Sequence, residues 1–418
     1  MDDVNLIRSL PDEELKKNAR IKVIGVGGGG GNAVNSMLHD KADLVEYWVM
    51  NTDCQALSNS PCENKLVLGR GVTRGLGAGG NPNCGKQAAE DAYDDIKRIV
   101  QGTDLVFIAA GEGGGTGTGG APVVAKAAKE EGCLVIGIVT RPFNFEGKTR
   151  RTNALEGINA LKDNVDALIV VSNDKLMFND GKLAITDSFH KADSILGSAV
   201  KTVTDLILKH GIINLDFADV KSTLSGKGLA LIGIGHGKGE NKAVDAANNA
   251  INSPLLEASI RGAHSMLINF TVGKDTSLLE TQDAVDYITE AACGKDNDDC
   301  NIIFGVMEDS SFNDEMTIAI IATDFNKDID FSAAPMRNPN STFEKQEEKT
   351  EVRVEASDTM KRINEDRNSS VLPSFLRNKM HEPVVEEKKD EPVVETKEPA
   401  SDDDDDEPEV LAQNPDIH

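Results

Sequence analysis

Between residues 21 and 172, short apolar runs alternate with longer segments in which apolar side chains recur every three or four positions. The runs are 21–26, 47–50, 65–68, 105–110, 134–140 and 167–172. Most are apolar throughout, the pattern of strands covered on both faces. Segments 32–38, 86–100 and 122–131 read as helices between them. This alternation predicts an α/β fold with a Rossmann-like parallel sheet. A second block starts near residue 221, with strand patterns at 229–234, 265–271, 302–307 and 316–323. It has two helical patterns, 241–252 and 279–292, and reads as a smaller α+β domain. Between the blocks Phe189, Ala192, Leu196, Ala199, Val203 and either Leu206 or Ile207 fall on one helical face. They predict a long central helix over 187–210, with Gly211 as its stop signal. At ~1.5 Å per residue it spans roughly 36 Å.

The expected organisation is an N-terminal arm (1–20), a first domain (21–186), the central helix (187–210) and an acidic loop (211–220). A C-terminal domain (221–330), a flexible linker (331–370), an apolar peptide (371–379) and an acidic extension (380–418) follow. The linker is polar and poor in aromatics, so it buries too little apolar surface to fold.

Composition narrows the function. The chain has 44 Lys+Arg against 70 Asp+Glu, a net charge of −26. Residues 380–418 alone hold 15 acidic and 3 basic side chains, and the body stays acidic without them. Such a surface repels phosphate backbones, so no nucleic-acid partner is expected. No apolar run approaches the ~20 residues that span a bilayer, and the start lacks a signal pattern, so direct membrane insertion is not expected. The six cysteines form no CxxC pair and read as reduced cytosolic thiols.

The chemistry lies in two glycine runs. Strand 21–26 leads into Gly27, Gly28, Gly29, Gly30 and Gly31, then Asn32. Glycines let backbone N–H groups approach a ligand, and a following helix turns its positive end on the same point. Residues 25–30 also satisfy GxGxxG with Asp53 downstream, so a nicotinamide oxidoreductase competes for this loop. The second run, GEGGGTGTGG (111–120), separates the two readings. A nicotinamide enzyme needs one diphosphate cradle. Two cradles, with the Thr116 and Thr118 hydroxyls available to phosphate oxygens or a metal ion, suit a longer phosphate chain. A P-loop is absent: GKT at 147–149 has Pro142 where its first glycine belongs.

GGGTGTG (113–119) resembles the signature of the tubulin/FtsZ superfamily. Further motifs are similar to the FtsZ family of bacterial cell-division proteins: IKVIGVGGGGGNAVN (21–35), NTDCQAL (51–57), TRGLGAGGNP (73–82), RPFNFEGKTR (141–150) and NLDFADV (214–220). The resemblance covers about residues 15–325. It implies a tubulin-like GTPase fold, GTP or GDP on the glycine loops, and Mg2+ arriving with GTP rather than on a dedicated protein site. By position, Gly28–Asn32, Gly115–Gly117 and the loop holding Gly77, Ala78 and Gly79 face phosphates. Glu146 and Arg150 serve the ribose and phosphate region. Asn173 and Asp193 read guanine, with Phe189 stacked on it. Two residues depart from the family pattern: Glu112 stands where Met is usual, and Gly120 where Ala is usual. Glu112 is expected to point outward, away from the phosphates.

Hydrolysis of an anhydride needs a group that orients water. Asp216 and Asp219, with Asn214, have suitable chemistry but follow the far end of the central helix. They reach a nucleotide only on another copy stacked head to tail, and such an interface grows a filament. The resemblance implies the same shared site, and a cytoplasmic division ring at midcell. It also implies membrane-tethering and regulatory partners docking on 371–379 through Leu372, Phe375, Leu376 and Arg377. A filament protein that binds GTP without hydrolysing it is the remaining alternative, raised by Glu112.

Overall fold

A computed structural model describes residues 19–42, 44–177, 184–209, 211–294 and 300–325. Most of the arm, the linker, the 371–379 peptide and the acidic extension lie outside the described residues. The N-terminal half begins β1 (Ile21–Val26), α1 (Gly27–Met37), β2 (Val45–Asn51), α2 (Cys54–Asn59), β3 (Asn64–Val67) and α3 (Arg70–Thr73). It continues α4 (Pro82–Asp91), α5 (Tyr93–Val100), β4 (Leu105–Gly111), α6 (Thr116–Glu130), β5 (Leu134–Arg141), α7 (Lys148–Lys162), β6 (Ala167–Ser172) and α8 (Asn173–Met177). The long helix α9 (Ile185–Leu208) leads to α10 (Phe217–Leu224), β7 (Gly228–Lys238) and α11 (Lys242–Ile251). Then come β8 (Ala263–Val272), α12 (Leu278–Cys293), β9 (Asn301–Glu308) and β10 (Glu315–Phe325).

Among the described residues, ten strands form one sheet, in the order β3-β2-β1-β4-β5-β6-β7-β10-β8-β9. β1 to β6 are parallel. β7 joins the halves: it pairs parallel to β6 through Gly228–Ala230 and antiparallel to β10. One face of the N-terminal sheet packs on α1 and α9, the other on α4 to α7. Ala192, Leu196, Ala199, Val203 and Leu206 are buried on α9 as their spacing predicts, while Phe189 is exposed.

Three helices start elsewhere than the pattern suggests. α1 begins inside the glycine run rather than at Asn32, because it lies against β4: a Cβ on Gly30 would sit 2.1 Å from the Ala109 carbonyl oxygen. α6 begins at Thr116 rather than Pro122, and a Cβ on Gly119 would sit 1.9 Å from the Pro82 carbonyl oxygen where α4 crosses it. Segment 86–100 is two helices broken at Ala92, the first starting at Pro82 with Asn81 capping its N-terminus. Poor intrinsic helix formers are helical here because close packing needs their missing side chains.

The cysteine reading needs one correction. Cys293, ending α12, and Cys300, before β9, form a disulfide, while Cys54, Cys62, Cys84 and Cys133 are free. The two lie seven residues apart, a spacing without a motif; only the return of the chain to β9 brings them together.

Candidate functional site: a crevice at the switch point of the sheet

The chain turns outward from β1 to β2 and β3, then returns to β4 on the other side of β1. Ligands of open α/β sheets lodge at the carboxyl ends of strands flanking such a switch. Both glycine runs stand there. The Gly27 Cβ position is 2.7 Å from the Gly117 nitrogen, and that of Gly29 is 3.1 Å from the Gly111 Cα, so the two turns touch. Gly28 has nothing within 4 Å of its Cβ position and leaves its backbone open to a ligand. A third loop closes the rim: the Cβ position of Gly115 is 2.8 Å from the Ala78 Cβ. Arg74, Gly75, Gly77, Gly79 and Gly80 of this loop all have positive φ. Neither α1 nor α6 has a side-chain N-cap, so their first N–H groups remain available to an anion.

The two threonines act differently from expectation. Both are buried; Thr116 Oγ1 lies 2.6 Å from Thr52 Oγ1, and Thr118 Oγ1 accepts from the Gly113 N–H at 2.8 Å. Their hydroxyls brace the loop from behind, because the helical start of α6 turns them into the protein. Thr52 is a partner that sequence reasoning passed over, although it lies within the NTDCQAL motif.

Glu112 does not point outward. It is 2% exposed, beneath the glycine loop. A Cβ on Gly157 of α7 would stand 2.3 Å from its Oε2, so that glycine makes its room. Neither carboxyl oxygen has a hydrogen-bond partner among the described residues. Burial pushes the carboxyl up to about 8, with the nearby Thr118 hydroxyl pulling it back only in part. The group is therefore mostly neutral at pH 7 and does not repel phosphates. The backbone causes this: Glu112 lies between Gly111 at the end of β4 and Gly113 in the turn, with its N–H bonded to the Thr140 carbonyl.

Farther along the strand ends, aromatic and polar groups line a second wall. Phe189 is 40% exposed, and its ring meets the buried Phe143 edge-on at 5.2 Å. Phe143, a buried support within RPFNFEG, is the second residue that the sequence reading did not single out. Asn173 is 6% exposed, and its Oδ1 lacks a hydrogen-bond partner among the described residues. Burial raises the Asp193 carboxyl to about 6, with His190 pulling it back slightly. Glu146 accepts from the Phe143 N–H at 2.8 Å and pairs with Arg150 at 2.9 Å.

Asn214, Asp216 and Asp219 lie beyond the other end of α9. Asp216 caps α10 by accepting from the Asp219 N–H at 2.8 Å, and Asp219 reaches back to the Asp216 N–H at 3.3 Å. Asn214 Oδ1 accepts from the Gly211 N–H at 2.5 Å. The turn is held against β9 by the Ile213–Val306 bridge. Asn214 and Asp216 face solvent.

Two phosphate cradles at one switch point, without a P-loop, define a nucleotide-binding α/β protein. Residues 20–179 match the model of the Tubulin/FtsZ family GTPase domain, and residues 228–326 that of the FtsZ family C-terminal domain. Among solved structures, an empty FtsZ dimer from M. jannaschii is 37% identical, with TM-score 0.72, over 82% of this chain and 97% of that one. A mutant FtsZ from M. jannaschii is 38% identical, with TM-score 0.71, over 79% and 97%. A GTPγS-bound CetZ2 protofilament from Haloferax volcanii shares the fold at 20% identity and TM-score 0.61, over 72% and 92%. This chain belongs to the FtsZ family and is a GTPase; the nicotinamide reading is set aside.

Proposed function

We propose that the protein assembles head to tail through GTP and hydrolyses it at the junctions between subunits. The observation that carries this is the separation of its parts. Phe189 marks the crevice end of α9; Asn214, Asp216 and Asp219 follow its other end. The 24 residues of α9 span roughly 36 Å and keep the two groups toward opposite ends. One subunit supplies both halves only to different neighbours.

In this mechanism the first N–H groups of α1 and α6, including Gly28–Asn32 and Gly115–Thr118, hold the phosphates with loop residues Gly77–Gly79. Glu146 and Arg150 border the ribose. Asp193 accepts from the N1–H and amine of guanine, Asn173 completes its edge, and Phe189 stacks on its face. Asp216 and Asp219 of the next subunit orient a water, with Asn214 beside them; the water attacks the γ-phosphorus, giving GDP and phosphate. Near the phosphates Asp53 is committed to capping α2, and Glu112 is buried. A Mg2+ ion would accordingly ride on the nucleotide's own oxygens, supplying charge neutralisation.

Exposed apolar side chains support the junction. Leu76 (80% exposed) and Phe145 (64%) stand at the crevice rim. Ile212 (67%) flanks the acidic turn, and Leu278 (74%) starts α12 just beyond the end of β8 that pairs with β9. Mutual burial of such groups drives association. In the cell, this reading makes the filament the scaffold of a bacterial division ring: cytoplasmic, at midcell, tethered through the 371–379 peptide. Buried, neutral Glu112 removes the reason for favouring binding without turnover.

Light scattering with phosphate release over a protein dilution series, GTP against GDP, tests the mechanism. Turnover per subunit should fall steeply below the assembly threshold. A flat profile sinks the shared site. A fluorescent fusion spread evenly through dividing cells sinks the ring.

A further inference from the structure

Glu257 belongs to the segment between α11 and β8, in the C-terminal half, yet it reaches the nucleotide-binding half. Its side chain is 1% exposed. Oε2 lies 3.4 Å from Arg141 Nη1 and 3.8 Å from Lys175 Nζ. Lys175 also donates to the Leu256 and Glu257 carbonyl oxygens, at 2.7 and 2.8 Å. Oε1 has no hydrogen-bond partner among the described residues.

The cations that Glu257 meets lie at the ends of the two strands behind the base wall: Arg141 closes β5, and Lys175 is in α8, which follows β6 directly. Arg141 is the last residue of β5 and pairs in register with Ser172, the last residue of β6. Pro142 and Phe143 follow Arg141; Asn173 follows Ser172. Asp174 Oδ1 accepts from the Asn144 N–H at 3.0 Å, so the two segments are stitched to each other as well. One buried carboxylate thus faces the segment that leads to Phe143 and Glu146 and the segment that carries Asn173.

We propose that Glu257 is a positioning residue for the guanine side of the crevice, holding the ends of β5 and β6 in place from the C-terminal half. Removing one partner of a buried ion pair weakens what holds the other in place. Without the carboxylate that Arg141 and Lys175 share, the ends of β5 and β6 lose a tie to the C-terminal half, and the Asn144–Glu146 turn and Asn173 shift with them. Recognition geometry is sensitive to displacements of this size. The inference rests on the assignment of guanine to this wall.

The test is titration of full-length Glu257→Gln with fluorescent GTP and fluorescent ITP below the assembly threshold. ITP lacks the exocyclic amine. Wild type should prefer GTP; in Glu257→Gln, GTP affinity should fall about tenfold and the GTP/ITP ratio should narrow about fivefold. Turnover at saturating GTP should change less than KM does. Glu280→Gln, which removes a partner of the buried Lys242 in the C-terminal half, separates general destabilisation from positioning: it should lower Tm without altering the ratio. If Glu257→Gln does not fold, Lys175→Met should move the ratio in the same direction by about threefold. An unchanged ratio in a folded variant overturns the positioning role while leaving the GTP reading intact. Failure of wild type to bind GTP overturns both.

Discussion

The crevice and the acidic turn both carry carboxylates, and they hold them in opposite ways. At the crevice, Glu112 and Asp193 are desolvated, with their carboxyls raised to about 8 and about 6. At the turn, Asp216 faces solvent and Asp219 is half-buried, and the two share a capping box. A desolvated carboxyl either stays neutral, as burial favours for Glu112, or pairs with donors on a ligand, the role proposed for Asp193. At the turn the carboxylates are accessible, as the proposed use of them on a neighbour's nucleotide requires. The exposure of Asp216 leaves it within reach of a second subunit, as the proposed shared site requires.

The largest effect expected is at the turn. Asp216→Asn should cut GTP turnover by about a thousandfold, within the range lost with a catalytic acid or base. GTP retention should persist, because nothing at the crevice changes. A variant that loses both equally places Asp216 in its own subunit's pocket and erases the contrast between the poles.

Next is Glu112→Gln. A carboxyl whose folded pKa is raised contributes stability that is intact below the unfolded value of 4.5 and lost as pH rises toward 8. The wild type should therefore lose about 4 kcal/mol between pH 5 and 8.5 through this group, and the variant should not. Denaturant melts at the two pH values measure it. Equal slopes would mean that the carboxyl is solvated and the crevice carboxylates are not distinctive.

Asp193 gives a smaller, sharper signal. In the proposed mechanism its ionised form accepts the two guanine donors, and burial raises the carboxyl of the free protein to about 6. GTP affinity should be level above pH 7 and fall about tenfold per unit below 6. Asp193→Asn should flatten the profile. The smallest effect separates structure from chemistry at the turn: Asp216→Ala should cost α10 about 1 kcal/mol in cap energy. Thermal melts should show that modest loss beside the much larger loss of turnover.

The order of strands and helices in the first half was legible because buried parallel strands and α9 write their periods directly into the sequence. So were the glycine loops and the acidic turn, which are contiguous motifs. The starts of α1 and α6 were not legible, since glycine is read locally as loop and its use for close packing depends on what lies opposite. Burial of Glu112 depends on the space left by Gly157, 45 positions away in sequence; a one-dimensional pattern has no term for that.

Periodicity and contiguous motifs alone determined the α/β class, the long helix, the phosphate cradles and the two poles. Only tertiary structure decided that β7 fuses both halves into one sheet, that Thr116 and Thr118 brace the loop from behind, that Cys293 meets Cys300, and that Glu257 faces Arg141 and Lys175. Local backbone preference is a property of neighbours in sequence, whereas burial, proton affinity and ion pairing belong to neighbours in space.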